Sequence, residues 1–138
     1  MMIACYLRMS CVVALLAAGI VAATGGPAVA SCVPPPVTSS HAFTGTVVLT
    51  VAEGRIAYVV TDGGRVVEVR GTPDPSVVTS VDRTYRVGWR YEFHPLNASS
   101  PYEDNACTAT HELGPVVPGE LDDLLRPLLG LAPGGARS

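Results

Sequence analysis

The chain has 138 residues, and its surplus of apolar residues lies mostly in the first thirty positions. The residues after position 30 are enough for one domain of ordinary size, but too few for two domains or for most large catalytic folds. The 12 acidic residues outnumber the nine basic ones, all of which are arginine. This acidic balance argues against binding to a phosphate backbone, so no nucleic-acid partner is expected.

Residues 1–30 have the pattern of a secretory signal peptide. Arg8 precedes an apolar run from Cys11 to Ala23, which helix-breaking residues end before the small residues Ala28–Ala30. A basic start, an apolar core of about 7 to 15 residues and an Ala-x-Ala-like end are typical of a cleaved signal. A membrane-spanning helix needs about 20 apolar residues. We therefore predict a signal helix that is removed, and an exported protein that is extracellular or in the cell envelope.

Two cysteines remain after the signal, Cys32 and Cys107. Because exported proteins meet an oxidising environment in which disulfides persist, we predict a Cys32–Cys107 bridge. It would tie the proline-rich start of the domain to a strand near its end. Val29–Cys32 is also similar to a bacterial lipobox, in which acylation of the Cys32 sulfur would prevent the disulfide. A lipid-anchored chain is therefore the alternative, and the only case in which contact with a membrane is expected.

The first half of the domain has the pattern of β-strands. In Phe43–Val51, alternate residues place Phe43, Gly45, Val47, Leu49 and Val51 on one face, which predicts a strand with one buried face. Two further β-rich stretches, 55–61 and 65–70, flank Asp62-Gly63-Gly64. Asp-Gly and Gly-Gly supply the positive φ that tight turns need, so these stretches predict a hairpin.

The second half adds an aromatic strand and a short helix. Residues 84–93 place five apolar side chains on one face, which we interpret as core: Tyr85, Val87, Trp89, Tyr91 and Phe93. Short β character returns at 107–113. Leucines at helical spacing predict a helix at 118–130 that packs on the β-domain and that Pro127 ends or kinks. Residues 131–138 are expected to be disordered, and five or six strands between turns suggest a small barrel or sandwich.

The sequence contains no recognisable catalytic motif. Neither a G-x-S-x-G elbow nor an H-E-x-x-H pair is present, and the two thiols of the domain are expected to be bonded to each other. His41, His94 and His111 are widely spaced, so we interpret them as polar surface residues rather than as a zinc site. We predict no enzyme, no catalytic residue, no metal and no cofactor. A small hydrolase would instead show turnover that depends on His94 or His111.

Three segments resemble small secreted actinobacterial proteins of the tissue-inhibitor-of-metalloproteinase-like, or netrin-module, class: Ser31–Pro35, Phe43–Val48 and Ala106–Thr110. The resemblance implies an all-β domain at 31–117, an OB-like five-stranded barrel whose N-terminal segment is clipped to it by disulfides. Inhibitors of this class chelate the zinc of a metalloprotease through the amino and carbonyl groups of a first-residue cysteine. Their pattern is Cys-x-Cys-Val-Pro-Pro, and here Ala30 stands in place of the first cysteine.

These observations favour a non-enzymatic exported module that binds or inhibits another secreted or envelope protein, with a metalloprotease as one candidate partner. The expected contact segment consists of Ser31, Cys32, Val33, Pro34, Pro35 and Pro36. The alternative is a lipid-anchored envelope protein of structural role, in which Cys32 carries the lipid.

Overall fold

The computed structural model describes residues 32–131, which form six strands and one helix. The strands are β1 (Phe43–Val51), β2 (Ile56–Thr61), β3 (Val66–Arg70), β4 (Trp89–Phe93), β5 (Tyr102–Glu103) and β6 (His111–Pro115), and the helix is α1 (Pro118–Leu128). The predicted signal at 1–30, Ser31 and the predicted tail beyond Leu131 lie outside the described residues.

All six strands belong to one sheet, in the order β5-β3-β2-β1-β4-β6. β1, β2 and β3 form an antiparallel meander, in which β1 pairs with β2 and β2 pairs with β3. β4 pairs antiparallel with the other edge of β1, and β6 with β4. β5 runs parallel to β3. The prediction of a mainly β domain with one short C-terminal helix is confirmed.

The prediction of an OB-like five-stranded barrel is corrected by this sheet, which has six strands and does not close into a barrel, because β5 and β6 form its two edges. These two strands follow one another along the chain and are joined by residues 104–110. Side chains in that segment take its backbone donors: Asn105 N–H donates to Asp104 Oδ1 and Cys107 N–H to Asn105 Oδ1, both at 2.8 Å. Turns bonded in this way compete with strand pairing. Residues 104–110 therefore form an irregular connection, and β5 and β6 lie at the two opposite edges of the sheet.

β1 has the predicted bounds, but its two faces exchange at a bulge. The register with β2 shifts between Val47 and Leu49. An extra residue in one strand moves every later side chain to the opposite face. Val47 and Val48 are therefore both buried, while Leu49 and Val51, expected on the buried face, are exposed.

The core lies on one face of the sheet and is rich in aromatic rings. Its residues are Val47, Ala57, Val59, Val67, Val69, Tyr85, Tyr91, Phe93 and Tyr102. Tyr91 and Phe93 are 1% and 0% exposed, which confirms the predicted aromatic core, and Trp89 packs against it. Val87 is exposed instead. It falls in a turn before β4, where Gly88 has a φ of 80°.

Helix α1 packs lightly on the sheet. Leu121, Leu124 and Leu125 are half-buried, and no residue of the helix is fully buried. Pro127 lies in the last turn, and the helix ends one residue later, at Leu128. Because Pro127 has no N–H, it cannot bond to the carbonyl four residues earlier, which weakens this last turn. Between residues 32 and 131, no helix has the length and apolar character needed to span a bilayer.

Gly71 marks a close contact between two backbones next to the site described below. It follows β3, accepts a 2.8 Å hydrogen bond from Arg83 N–H, and a Cβ at this position would stand 2.2 Å from the Arg83 carbonyl oxygen. We expect Gly71→Ala to lower the free energy of unfolding by about 1–3 kcal/mol, because one backbone must move away. Urea unfolding measures this loss. Gly119→Ala is the control and should not lower stability, because an added Cβ there would meet no atom of residues 32–131 within 4 Å beyond its neighbours in the helix. Equal stability of Gly71→Ala and wild type would contradict the contact.

Candidate functional site: a clipped N-terminal segment

The N-terminal segment is attached to residues 104–110 at two points. The first is the Cys32–Cys107 disulfide, whose Cα atoms are 5.3 Å apart, within the usual span of such bonds. The second is a parallel bridge in which Val37 N–H donates to the Cys107 carbonyl at 3.0 Å and Ala109 N–H donates to the Val37 carbonyl at 2.7 Å. The predicted disulfide is confirmed, and the main-chain bridge adds a restraint that the sequence did not indicate.

Between these two attachments the segment is exposed. Val33 is 89% exposed, and Pro34, Pro35 and Pro36 are also exposed, whereas Cys32 is half-buried. Prolines restrict their own φ and the conformation of the residue before them. Cys32–Pro36 is therefore an apolar ridge held at both ends, which we call the clipped ridge. Of the six predicted contact residues, five lie in it; Ser31 is outside the described residues.

A buried carboxylate supports the segment to which the ridge is clipped. Asp104 Oδ2 accepts from the Tyr85 hydroxyl at 2.7 Å and lies 3.3 Å from Arg83 Nε. Asp104 Oδ1 accepts from the Thr108 hydroxyl and from Asn105 N–H. Arg83 also donates to the carbonyls of Asn105 and Thr108, at 2.9 and 3.1 Å. The buried charge is thus matched by a cation and three neutral donors, and together they fix the loop that carries Cys107.

The same network changes the ionisation of Tyr85. Burial of the ring raises the pKa of the Tyr85 hydroxyl well above its usual range, and the negative charge of Asp104 raises it further. The folded protein therefore favours the neutral phenol. The stability that this contributes is fully present below the pKa of an unfolded tyrosine, about 10, and is lost as the pH rises above it.

We accordingly expect the free energy of unfolding to fall as the pH is raised from about 8 to about 11. Urea unfolding followed by circular dichroism at each pH measures the change. Tyr85→Phe is the control: it should be less stable at neutral pH because Asp104 loses a donor, but its decline with pH should be shallower. Parallel pH profiles for wild type and Tyr85→Phe would contradict the assignment to Tyr85.

A cluster of three titratable side chains lies beside the clipped ridge. Glu92 in β4 is the register partner of His111 in β6, and His94 follows two residues after Glu92. The ligand atoms of these three residues all lie within 4.8 Å of one another. The cluster is tied to the chain leading from the ridge, since Ser39 N–H donates to His94 Nδ1 at 3.2 Å, and His94 N–H donates to the Thr110 hydroxyl at 2.8 Å.

Sequence spacing did not reveal this cluster. The three histidines were interpreted as separate surface residues, but the structure places His94 and His111 together with Glu92 and leaves His41 out of the group. The pairing of β4 with β6 brings His111 next to Glu92. Sequence spacing could not predict this pairing, because its register depends on a shift between Arg90 and Tyr91. The sequence does contain one sign of the cluster: Glu92 and His94 are two residues apart, and such residues lie on the same face of an extended segment.

Comparison of the chain with protein-family models, with curated proteins and with solved structures finds no match. The resemblance to the inhibitor-like class therefore stays a prediction from the residues that carry it. The argument for function depends on the geometry of the clipped ridge and its surroundings.

Proposed function

We propose that this chain is an exported, non-enzymatic module that binds another secreted or envelope protein through the clipped ridge. The observation that carries the proposal is the combination of exposure and restraint in Cys32–Pro36. A segment that is restrained before association loses less conformational entropy when it binds. Val33 and the three prolines offer apolar area with little rotamer freedom to lose. The disulfide is compatible with an extracellular location.

Strand pairing supports the finer proposal of an OB-like domain of the inhibitor-like class. β1 pairs with both β2 and β4, and β5 runs parallel to β3. OB-folds are five-stranded Greek-key barrels that are partly open, so an open sheet whose two edge strands are consecutive in the chain is close to that arrangement. On this proposal a metalloprotease is one candidate partner. Zinc chelation would require cleavage after Ser31, which leaves Cys32 with a free amino group.

The alternative is a lipid-anchored envelope protein with acylated Cys32. Acylation and the disulfide use the same sulfur atom, so they exclude each other. Because the two cysteines are bonded to each other in the structure, the binding module is the favoured proposal. Intact-mass measurement of the exported protein separates the two: an unmodified mass short of two hydrogens supports the module, and an added diacylglyceryl group supports the anchor.

The contact role of the ridge is tested by charge placed at its most exposed apolar residue. We expect Val33→Asp to abolish stoichiometric capture of a protein from the exported fraction. Val78→Asp, at a valine that is 70% exposed in the loop before β4, is the matched control and should leave capture intact. Capture that survives Val33→Asp, or that fails equally in both variants, would contradict the proposed contact surface.

A further inference from the structure

We propose that the cluster of Glu92, His94 and His111 binds one divalent transition-metal ion of the zinc class. His111 Nε2 and the Glu92 carboxylate are the protein ligands, and His94 orients Glu92. This inference does not depend on the proposed function. It is carried by strand register, by the hydrogen bonds that set the tautomer of each ring, and by the charge at the cluster.

Strand geometry directs the three side chains to the face of the sheet opposite the aromatic core. Tyr91 and Phe93 point into the core, so Glu92 between them points away from it. His111 pairs directly with Glu92, and paired residues in an antiparallel sheet extend to the same face. His94 extends the row by two residues. The backbone therefore brings the three side chains to neighbouring positions on this face, and one possible ligand atom of each lies within 4.8 Å of the others.

The tautomer of His111 leaves a ligand atom available. His111 Nδ1 lies 3.0 Å from the Ala109 carbonyl oxygen, and since a carbonyl can only accept, Nδ1 carries the proton. In the neutral ring Nε2 then holds a lone pair. Histidines that bind metals commonly donate their other ring N–H to a backbone carbonyl, which fixes the ring and increases its basicity as a ligand.

His94 has the opposite tautomer. A backbone N–H can only donate, so Ser39 N–H makes His94 Nδ1 the acceptor. The proton of the neutral ring is therefore on Nε2, which donates to Glu92 Oε1 at 2.8 Å. The His94 side chain is only 12% exposed. Its Nδ1 accepts from Ser39 N–H, and the backbone N–H of the same residue donates to the Thr110 hydroxyl. His94 is thus a positioning residue that holds the Glu92 carboxylate toward His111.

The charge of the cluster favours a cation. Within residues 32–131 Glu92 accepts from the neutral ring of His94, and no arginine of that range is paired with it. One carboxylate beside a neutral imidazole suits zinc, nickel or copper better than calcium or magnesium, which prefer oxygen ligands. Zinc sites in proteins usually have three or four protein ligands, so on this proposal water or a donor from a binding partner fills the remaining positions.

The test is a calorimetric titration of the full chain with zinc chloride, after the disulfide has formed and any free thiol has been alkylated. We expect one saturable site per chain. His111→Gln and Glu92→Gln should each weaken binding by about 100-fold, and His94→Leu by about 10-fold, the usual cost of losing a group that orients a ligand. His41→Gln, the same change outside the cluster, should leave binding unaltered.

His94→Gln separates the role of His94 from that of a ligand. The glutamine amide keeps an N–H donor near the position of Nε2, so binding should recover to within about threefold of wild type, within the margin of a preserved outer contact. A loss in His94→Gln as large as in His111→Gln would overturn the assignment of roles. Absence of saturable zinc binding, or an equal loss in His41→Gln and His111→Gln, would overturn the site itself. Urea midpoints of each variant confirm that the fold is retained.

Discussion

Replacing both bridging cysteines with serine, Cys32→Ser with Cys107→Ser, should lower the free energy of unfolding by roughly 4 kcal/mol. The two residues are 75 positions apart, and closing a loop of that length lowers the conformational entropy of the unfolded chain, which raises the free energy of unfolding. Such a loss is a large share of the stability of a small domain. Urea unfolding of the oxidised protein and of the double variant measures it.

Reduction supplies the matched control for the disulfide. Wild type treated with a thiol reductant should fall to the stability of the double variant, while the double variant should not respond to the reductant. Amide exchange at Ala109 should also become faster, because its bond to Val37 is next to the lost bridge. Equal stability of wild type with and without reductant would show that the exported protein lacks this disulfide and would support the lipid-anchored alternative.

Asp104→Asn should destabilise the domain by about 3 kcal/mol, the usual cost of removing one member of a buried ion pair. The substitution keeps the shape of the side chain but removes its charge. Asparagine also carries an N–H₂ group in place of one of the two carboxylate oxygens, so one acceptor becomes a donor. That group would face donors, either the Tyr85 hydroxyl and Arg83 or the Thr108 hydroxyl and Asn105 N–H. The loop that carries Cys107 should loosen as a result.

Thermal or urea unfolding compares Asp104→Asn with Asp123→Asn, which removes the same charge from an exposed position of helix α1. The control should change stability by about 0.5 kcal/mol or less, as surface substitutions usually do. Combining Asp104→Asn with Tyr85→Phe should cost less than the two single losses added together, since both act on one hydrogen bond. Additive losses, or equal losses in Asp104→Asn and Asp123→Asn, would contradict the network.

Local patterns in the sequence were sufficient for much of the fold. The bounds of β1 and the turn at Asp62–Gly64, where Gly64 has a φ of 78°, were predictable because they depend on alternation and on glycine over a few residues. The buried rings of Tyr85, Tyr91 and Phe93 were predictable for the same reason. So was the disulfide, because only two cysteines follow the predicted signal.

What the sequence alone determined is therefore mostly local: which stretches extend, where the chain turns and which rings are buried in the core. The disulfide is the long-range exception, predictable because only two cysteines follow the predicted signal. Tertiary structure decided what depends on register and on distant partners. The bulge after Val47 reversed one face of β1, β5 and β6 took the two edges of an open sheet, and the pairing of β4 with β6 brought His111 to Glu92. The physical reason is that one residue of slip moves a side chain across the sheet, and only contacts between strands far apart in the chain fix that slip.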